Sequence, residues 1–591
     1  MDLDNLLPDV GEYGTYQKRL LWFVLLPCVL PCGFHAYNQL FMAASPQHWC
    51  YVPELKHLDI KEAKQLSIPK SNNGKLSQCL MYDRNYTAIA SFPNESVPLG
   101  KAVPCKYGWT FDHSEYKETI VTEWNLVCNK DFYPTGALVL LAIGGLIGNY
   151  IFGYIQDGLG RKPAFFIYLF IETVFGIGTA FMNSFWSWVL FRFGVGFTVP
   201  AILATPYVLS IELVGPEYRT TVTILINIAY SIALTLLACI VYLVRDWRLL
   251  ALYTSVPFAF FFFYLRDMPE SPRWLLARGS YAKAEKILNK MAKVNNKPIP
   301  PDWFSRKKGE CDKIIHDVED KKHYGVTDLF RTPNLRKKTL IITFIWFTNT
   351  SVYVGLSYYA PLLGGNEFLN FFLAGAVELP TYLILWPAME HWGRRCALSS
   401  SMIFGGLSCV LTIFNQENEF GTWLGLVLYC CGKMGISCSY VVLPLFASEL
   451  YPTVVRGLGM STSAVVGMLG PIFIPLLNYM GGELPLLVMG VLLLLGGIAT
   501  LFLPETHHLH LPQTIEDAEN FGNSKSKTST STKWNSERND RQQILSSVPS
   551  WRYKYKLRQS RDYFREGRKK IASNRGLLRN VGLRRGKKPR T

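Results

Sequence analysis

Apolar residues along this chain fall into long unbroken runs separated by short polar breaks. The clearest are Leu20–Met42, Tyr133–Ile155, Ala164–Met182, Thr220–Val244, Ala251–Leu265, Leu340–Leu363 and Leu484–Leu503. About 20 apolar residues wound as a helix cross the ~30 Å hydrocarbon layer of a bilayer. In lipid a segment must satisfy its own backbone N–H and C=O groups, which selects helix for each run. The pattern predicts twelve spans, near 20–43, 133–155, 163–182, 185–211, 220–244, 247–265, 338–361, 367–389, 396–414, 420–448, 457–480 and 484–503. Runs this long and numerous argue against the buried helices of a large soluble protein.

Composition agrees: charged residues are 18% of the chain, against roughly 25% in ordinary globular proteins. The net charge of +17 is unevenly placed. Arg552–Arg590 holds 16 Lys/Arg against 2 Asp/Glu, and Arg266–Lys338 holds 18 against 10. Ala44–Asp131 holds 10 of each. Basic residues gather on the cytoplasmic side of membranes, so the central segment and tail are expected inside and the first loop outside. An even span count then puts both termini in the cytoplasm. The acidic start, MDLDNLLPDVGEYG, has no basic region before an apolar core, so the first span is expected to act as the membrane signal. The external loop carries Cys50, Cys79, Cys105 and Cys128, an even set that predicts two disulfides of undetermined pairing. It also carries the glycosylation acceptors Asn85 and Asn94; a third match, Asn349, lies inside a span. No Cys/His spacing suggests a metal site, and no motif calls for a cofactor.

Three loop motifs recur. After the second span an acid, Asp157, precedes Arg161 by four residues in a Gly-Arg-Lys turn; after the eighth, Glu390 precedes Arg394 in Gly-Arg-Arg. Following the fourth and tenth spans, Glu212 precedes Arg219 and Glu449 precedes Arg456, each by seven. Pro269-Glu270-Ser271 follows the sixth span and Pro504-Glu505-Thr506 the twelfth. The common offset predicts a duplicated six-helix unit. The domains are then an N-terminal segment 1–19, a bundle 20–265 with its external loop 44–132, a linker 266–337, a second bundle 338–503 and a tail 504–591. Acid–Arg pairs at helix ends suit a gate that holds the cytoplasmic face shut in one state. Neutralising Asp157 or Arg161 is accordingly expected to impair uptake. The competing reading is topological, a tight inside loop marked by basic residues.

These motifs resemble the major facilitator superfamily, which implies two six-helix bundles rocking about a central cavity. The long loop with paired cysteines, Glu449-Leu-Tyr-Pro-Thr-Val-Val-Arg456-Gly-Leu-Gly, Val121-Thr-Glu-Trp124, Phe344-Ile-Trp346 and Val377-Glu378-Leu-Pro380 are similar to the organic cation, organic anion and carnitine transporter family, nearest its carnitine and insect organic-cation branches. The resemblance runs from about residue 12 to 510 and excludes the tail. It implies a plasma-membrane transporter rather than an enzyme, moving small organic cations or zwitterions such as carnitine- or carcinine-like amines. An organic anion transporter and a non-transporting sensor are the alternatives.

Charges inside spans are expensive and mark function by default. Glu172, Arg192, Glu378 and Lys433 are the candidates. Glu378 is either the counter-charge of a cationic substrate or the partner of Lys433 in a structural pair; Arg192 is read as structural, and Glu172 has no evident partner. Aromatic faces add cation binding. Trp346, Asn349 and Tyr353 share one helical face, as do Asn227 and Tyr230; Tyr37, Asn38 and Tyr440 complete the set. The resemblance implies cavity positions for Asn227, Tyr230, Trp346, Tyr353, Glu378 and Tyr440. It also exposes two departures. Met468 stands where related cation transporters carry Asp and anion or carnitine transporters Arg, and Leu203 stands at a cavity Trp position. With Glu378 present and no Arg at 468, amines or zwitterions are favoured over dianions.

Two cytoplasmic segments remain. Tyr281–Lys293 is amphipathic and predicts a linker helix. The tail is read as largely disordered; its basic end is either drawn to anionic lipid or a solvated tail or trafficking signal, and a nucleic-acid partner is not expected. No Gly-x-Ser-x-Gly, His-Glu-x-x-His or P-loop pattern supports an enzyme.

Overall fold

The computed structural model describes residues 3–70, 76–87, 100–300, 302–307, 325–412, 419–452, 454–506, 512 and 514–521. Eleven of its helices are long and apolar enough to cross a membrane: α1 (Thr15–Met42), α2 (Cys128–Leu159), α3 (Arg161–Thr179), α4 (Phe185–Glu212), α5 (Pro216–Val244), α6 (Trp247–Tyr264), α7 (Pro333–Leu363), α8 (Glu367–Met389), α10 (Trp423–Leu450), α11 (Arg456–Tyr479) and α12 (Leu484–Leu501). The twelfth predicted span is the helix α9 (Arg394–Leu411), whose serines lower its hydropathy. Those hydroxyls do not stay orphaned in the bundle: Ser401 donates to Leu398 O, Ser408 to Phe404 O, and Ser399 to Gly497 O of α12.

Within the first half α2 and α3 pack on α4; within the second α9 packs on α10 and α12. The halves meet where α5 faces α8 and α2 faces α11. Small residues permit close packing within a half: a Cβ on Gly148 of α2 would stand 1.8 Å from the Phe197 carbonyl oxygen of α4. Prolines lie inside helices near the centre, Pro200 and Pro206 in α4, Pro444 in α10 and Pro475 in α11, each removing one backbone donor from a helix that runs on through it.

The membrane part is helical throughout, and the loop after α1 adds two short antiparallel sheets. β1 (His48–Cys50) pairs with β4 (Trp109–Phe111), and β2 (Leu80–Tyr82) with β3 (Ala102–Pro104). The four loop cysteines bond as Cys50–Cys105 and Cys79–Cys128. Leu55, Met81 and Tyr86 are buried beside Cys50 in a small core of the loop's own. Asn85 is exposed, whereas Asn94 lies outside the described residues. The loop also reaches the second half: the Tyr116 hydroxyl donates to Glu367 at 2.7 Å, and the Tyr479 hydroxyl to Asp131 at 3.0 Å. Burial, reinforced by the Glu367 carboxylate, holds the Tyr116 phenol well above its usual range.

The opposite face carries the chain's start and the linker. Asp4 pairs with Arg219 at 2.6 Å and with Arg273. The helix Tyr281–Val294 ends at Asn295, whose side chain accepts from Tyr16 N at 2.8 Å and donates to Val10 O at 3.0 Å. Beyond α12, Glu519 accepts from Asn334 N and Leu335 N at the start of α7. Burial pushes the Glu519 carboxyl up, but these donors and Thr332 outweigh it and hold it below the ordinary glutamate range. The basic run Arg552–Arg590 falls outside the described residues, as do 308–324 of the linker.

Candidate functional site

A cavity of about 470 Å³ lies between the halves, within the size range of small-molecule sites. From the first half it is lined by Cys32, Ala36 and Tyr37 of α1, Gly145 and Asn149 of α2, Leu203 and Tyr207 of α4, and Thr223, Asn227 and Tyr230 of α5. From the second come Trp346, Thr350, Tyr353 and Tyr358 of α7, Tyr440 of α10, and Met460 and Met468 of α11. The Tyr353 and Tyr440 rings stack at 4.7 Å, and the Tyr230 hydroxyl donates to that of Tyr37 at 3.5 Å. The Trp346 Nε1 is buried and has no hydrogen-bond partner among the described residues. Among the described residues, no Asp, Glu, Lys, Arg or His lines this cavity.

Four of the residues expected at the site from sequence lie outside this lining. Glu378 and Lys433 are both fully buried and lie outside the lining, 3.1 Å apart as an ion pair. The Glu378 carboxylate accepts from Ser437 at 3.1 Å, from Tyr382 at 3.2 Å, from Tyr353 at 3.3 Å and from Ser231. Lys433 donates to Ser357 at 2.6 Å and sits 3.8 Å over the Tyr353 ring. Of the two readings held open for Glu378, this geometry is that of the structural pair. Asn349 is likewise fully buried, accepting from Ser439 and donating to Ile345 O. Asn38 is held by Arg192 at 2.9 Å and Thr254 at 3.0 Å. The helical spacing that grouped Asn349 with Trp346 and Tyr353 spans too wide an arc, and its middle member turns into the bundle. Tyr37, Asn227, Tyr230, Trp346, Tyr353, Tyr440 and Met468 do line the cavity. Asn149, Tyr207, Thr223 and Tyr358 were missed; each is of a residue type that recurs along the spans, a signal too common to single out.

On the face opposite the disulfide loop, the repeated motifs build the same knot in each half. Gly160 and Gly393 have φ of +104° and +83°, a region that favours glycine. The next helix starts there, and its first N–H groups point at a carboxylate: Glu270 accepts from Arg161 N at 2.8 Å, Glu505 from Arg394 N at 3.0 Å. Such anions at helix N-termini are favourable. The arginine itself crosses to the end of the fourth or tenth helix, Arg161 to Glu212 at 3.1 Å and Arg394 to Glu449 at 3.4 Å. Asp157 also meets Arg161, at 3.2 Å, but is 78% exposed. The seven-residue acid–Arg spacing therefore does not mark an ion pair. Arg219 goes to Asp4, and the Arg456 Nε is buried without a hydrogen bond. Every described pair of these motifs ties helices within one half, whereas the expected gate pictured closure of the face. The Glu390 side chain lies outside the described residues.

The loop face closes differently, by aromatic contact across the halves. Phe41 of α1 packs on Phe371 of α8 at 5.1 Å, and Tyr242 of α5 on Phe368 at 5.8 Å. Near it His48, Cys79 and Cys128 place ligand-type atoms within 4.8 Å of one another, but the two sulfurs are bonded to each other and unfit for metal.

Comparison with known proteins matches this arrangement. The family model described as sugar (and other) transporter matches residues 106–517. A beta-alanine transporter of Drosophila melanogaster is 52% identical over 546 residues, covering 88% of this chain and 89% of that protein. A carcinine transporter of the same organism is 44% identical over 540 residues, with 88% and 79% covered. The human organic cation/carnitine transporter 2 is 32% identical over 529 residues, with 87% and 93% covered. Among solved structures, an inward-open xylose transporter of E. coli superposes with a TM-score of 0.54 at 16% identity, covering 84% of this chain and 98% of that one. The chain belongs to the sugar (and other) transporter family of the major facilitator superfamily, on its organic-cation and carnitine side, and is a multi-pass membrane transporter.

Proposed function

We propose that the chain carries small amines that bear no net charge or a single positive one, β-alanine and carcinine foremost, across the plasma membrane by alternating access. The observation that supports this most is the uncharged, tyrosine-rich wall of the cavity. An ammonium over an aromatic face gains about 0.5–2 kcal/mol per ring. Amide and hydroxyl groups of Asn149, Asn227 and Thr223 supply partners for a second polar end. A dianion would meet no cationic side chain among the described lining residues, which disfavours the anion-transporter alternative. The beta-alanine and carcinine transporters among its relatives carry such compounds by name.

In this reading the disulfide loop is extracellular, with Asn85 and Asn94 as glycan sites, and both termini are cytoplasmic, the tail resting on anionic lipid. The Arg161 and Arg394 knots keep each bundle rigid while it rocks. The molecule performs no covalent chemistry. The deciding experiment is uptake of β-alanine, carcinine, carnitine, tetraethylammonium and aminohippurate into vesicles holding the purified protein. Saturable β-alanine or carcinine flux is expected; transport of aminohippurate alone sinks the proposal, and binding without flux identifies a sensor.

A further inference from the structure

The first half contains a buried polar cluster that the cavity does not use. Glu172 of α3 is 2% exposed, yet neither carboxylate oxygen has a hydrogen-bond partner. His35 of α1, 1% exposed, has both ring nitrogens unpartnered, and the hydroxyl of Ser255 in α6 and the amide nitrogen of Gln39 are buried in the same condition. These groups converge. A Cβ on Gly176, one helical turn beyond Glu172 on the same face, would stand 2.6 Å from Ser255 Oγ and 3.0 Å from His35 Cε1. Arg192 of α4 closes the group, near enough to Glu172 for their charges to interact. Its own donors go to neutral acceptors, Gln39 Oε1 at 2.9 Å, Asn38 Oδ1 at 2.9 Å and His35 O at 3.2 Å.

A buried carboxylate with no donor is costly, and a buried guanidinium with no adjacent anion is costly too. The cluster balances the two without joining them, so neither the ionised nor the neutral form of Glu172 is locked in. The titratable and charged groups about the cluster are Cys32 and His35 from α1, Arg192 from α4 and, next to Arg192, Tyr358 from α7; α6 presents Ser255, and the middle of α2 is glycine-rich and uncharged. The same turns of α1 serve both places: Cys32, Ala36 and Tyr37 line the cavity, while His35, Asn38 and Gln39 face the cluster. A shift of α1 between transport states must therefore alter both.

We propose that Glu172, one turn from Gly176 where His35 packs, is a proton-binding site that loads and releases one proton in each transport cycle. The proton taken up on one side forms the carboxylic acid, and its release on the other restores the carboxylate beside Arg192. This rests on the transport reading but not on the identity of the substrate.

The test uses the full chain in vesicles, with β-alanine as probe. Tracer exchange at equal pH is measured first, then uptake under an inward acid gradient, with a trapped dye reading internal pH. The wild type is expected to accelerate under the gradient and to acidify the lumen with substrate. Glu172→Gln is expected to exchange β-alanine at equal pH but to bring the ratio of rates with and without the gradient to one, and Glu172→Asp to restore part of it. Gradient stimulation that survives Glu172→Gln overturns the proposal, as does stimulation by sodium in place of acid that Glu172→Gln removes. Infrared titration of the substrate-free protein separates the two proposals. A protonated-carboxyl band that titrates in the wild type and is missing in Glu172→Gln supports the proton site even if β-alanine is not carried; an unchanged spectrum refutes it.

Discussion

The buried charges of the second half make their strongest claim at the level of single side chains. Glu378 has five partners, and Lys433 is its only ionic one among the described residues. Removing one member of a buried pair strands the other and costs about 3–5 kcal/mol, whereas replacing both is often near neutral. Lys433→Met is therefore expected to lower the thermal unfolding midpoint in detergent steeply, and Glu378→Gln with Lys433→Met to recover most of it. A fold left intact by the single change, with only substrate affinity lost, would return Glu378 to the substrate. The cavity aromatics behave oppositely. Tyr440 stacks on Tyr353 at the cavity wall, so Tyr440→Leu should spare folding and raise the KM for an ammonium substrate about 2- to 30-fold, the equivalent of one lost ring. Sequence pattern found the aromatics because a tyrosine or tryptophan inside a span is visible by type. It placed Glu378, Lys433, Asn38 and Asn349 on the cavity because type does not reveal direction; a few tens of degrees of helix rotation separate the wall from the interior behind it.

Helix ends explain why the loop motifs come in threes. Glycine turns the chain, arginine binds the neighbouring helix, and a third, distant carboxylate caps the new helix, so all three marks are one device used twice. The repeat was legible without coordinates because each half keeps the full set. Its partners were not, since Glu270 lies 109 residues from Arg161. The consequence ranks the mutations. Glu212 and Arg161 are 13% and 12% exposed, Asp157 78%. An exposed pair contributes about 0–1 kcal/mol. Glu212→Gln should thus depress stability and uptake clearly while Asp157→Asn leaves both near wild type, the reverse of what the four-residue spacing alone suggested; comparable losses in surface-expressed protein would contradict this. The cap on α7 adds a pH dependence. Glu519 has its folded value depressed, so its contribution is present above the ordinary glutamate range and is lost as pH falls through the lower folded value. Glu519→Gln should flatten the acid limb of a melting-temperature profile and leave the neutral and alkaline limbs parallel to wild type.

Across the whole molecule the two faces are held by different physics. On the face bearing Asp4 and the linker helix, the described ion pairs among the repeated motifs stay within one half and leave the halves free to part. On the loop face, Phe41, Tyr242, Phe368 and Phe371 seal the halves together, and Tyr116 ties the disulfide loop to Glu367 at the head of α8. The loop's disulfides close spans of 55 and 49 residues, each contributing about 2–4 kcal/mol, which suits its described part to act as a strut. The cavity is thus shut toward the loop, and opening it there must break the Tyr116 bond and the aromatic seal in one movement. A neutral hydrogen bond contributes about 0.5–1.5 kcal/mol, more to a charged group, and two states in near balance shift several-fold for that amount. Tyr116→Phe keeps the ring and removes only the donor. It is expected to leave folding intact and raise the fraction of molecules open on the loop face. A membrane-impermeant thiol reagent added from that side reads the shift at Cys32, which lines the cavity, by mass spectrometry of the α1 peptide. Faster Cys32 modification in Tyr116→Phe than in wild type supports the strut, and equal rates mean the aromatic seal alone holds the outer face closed.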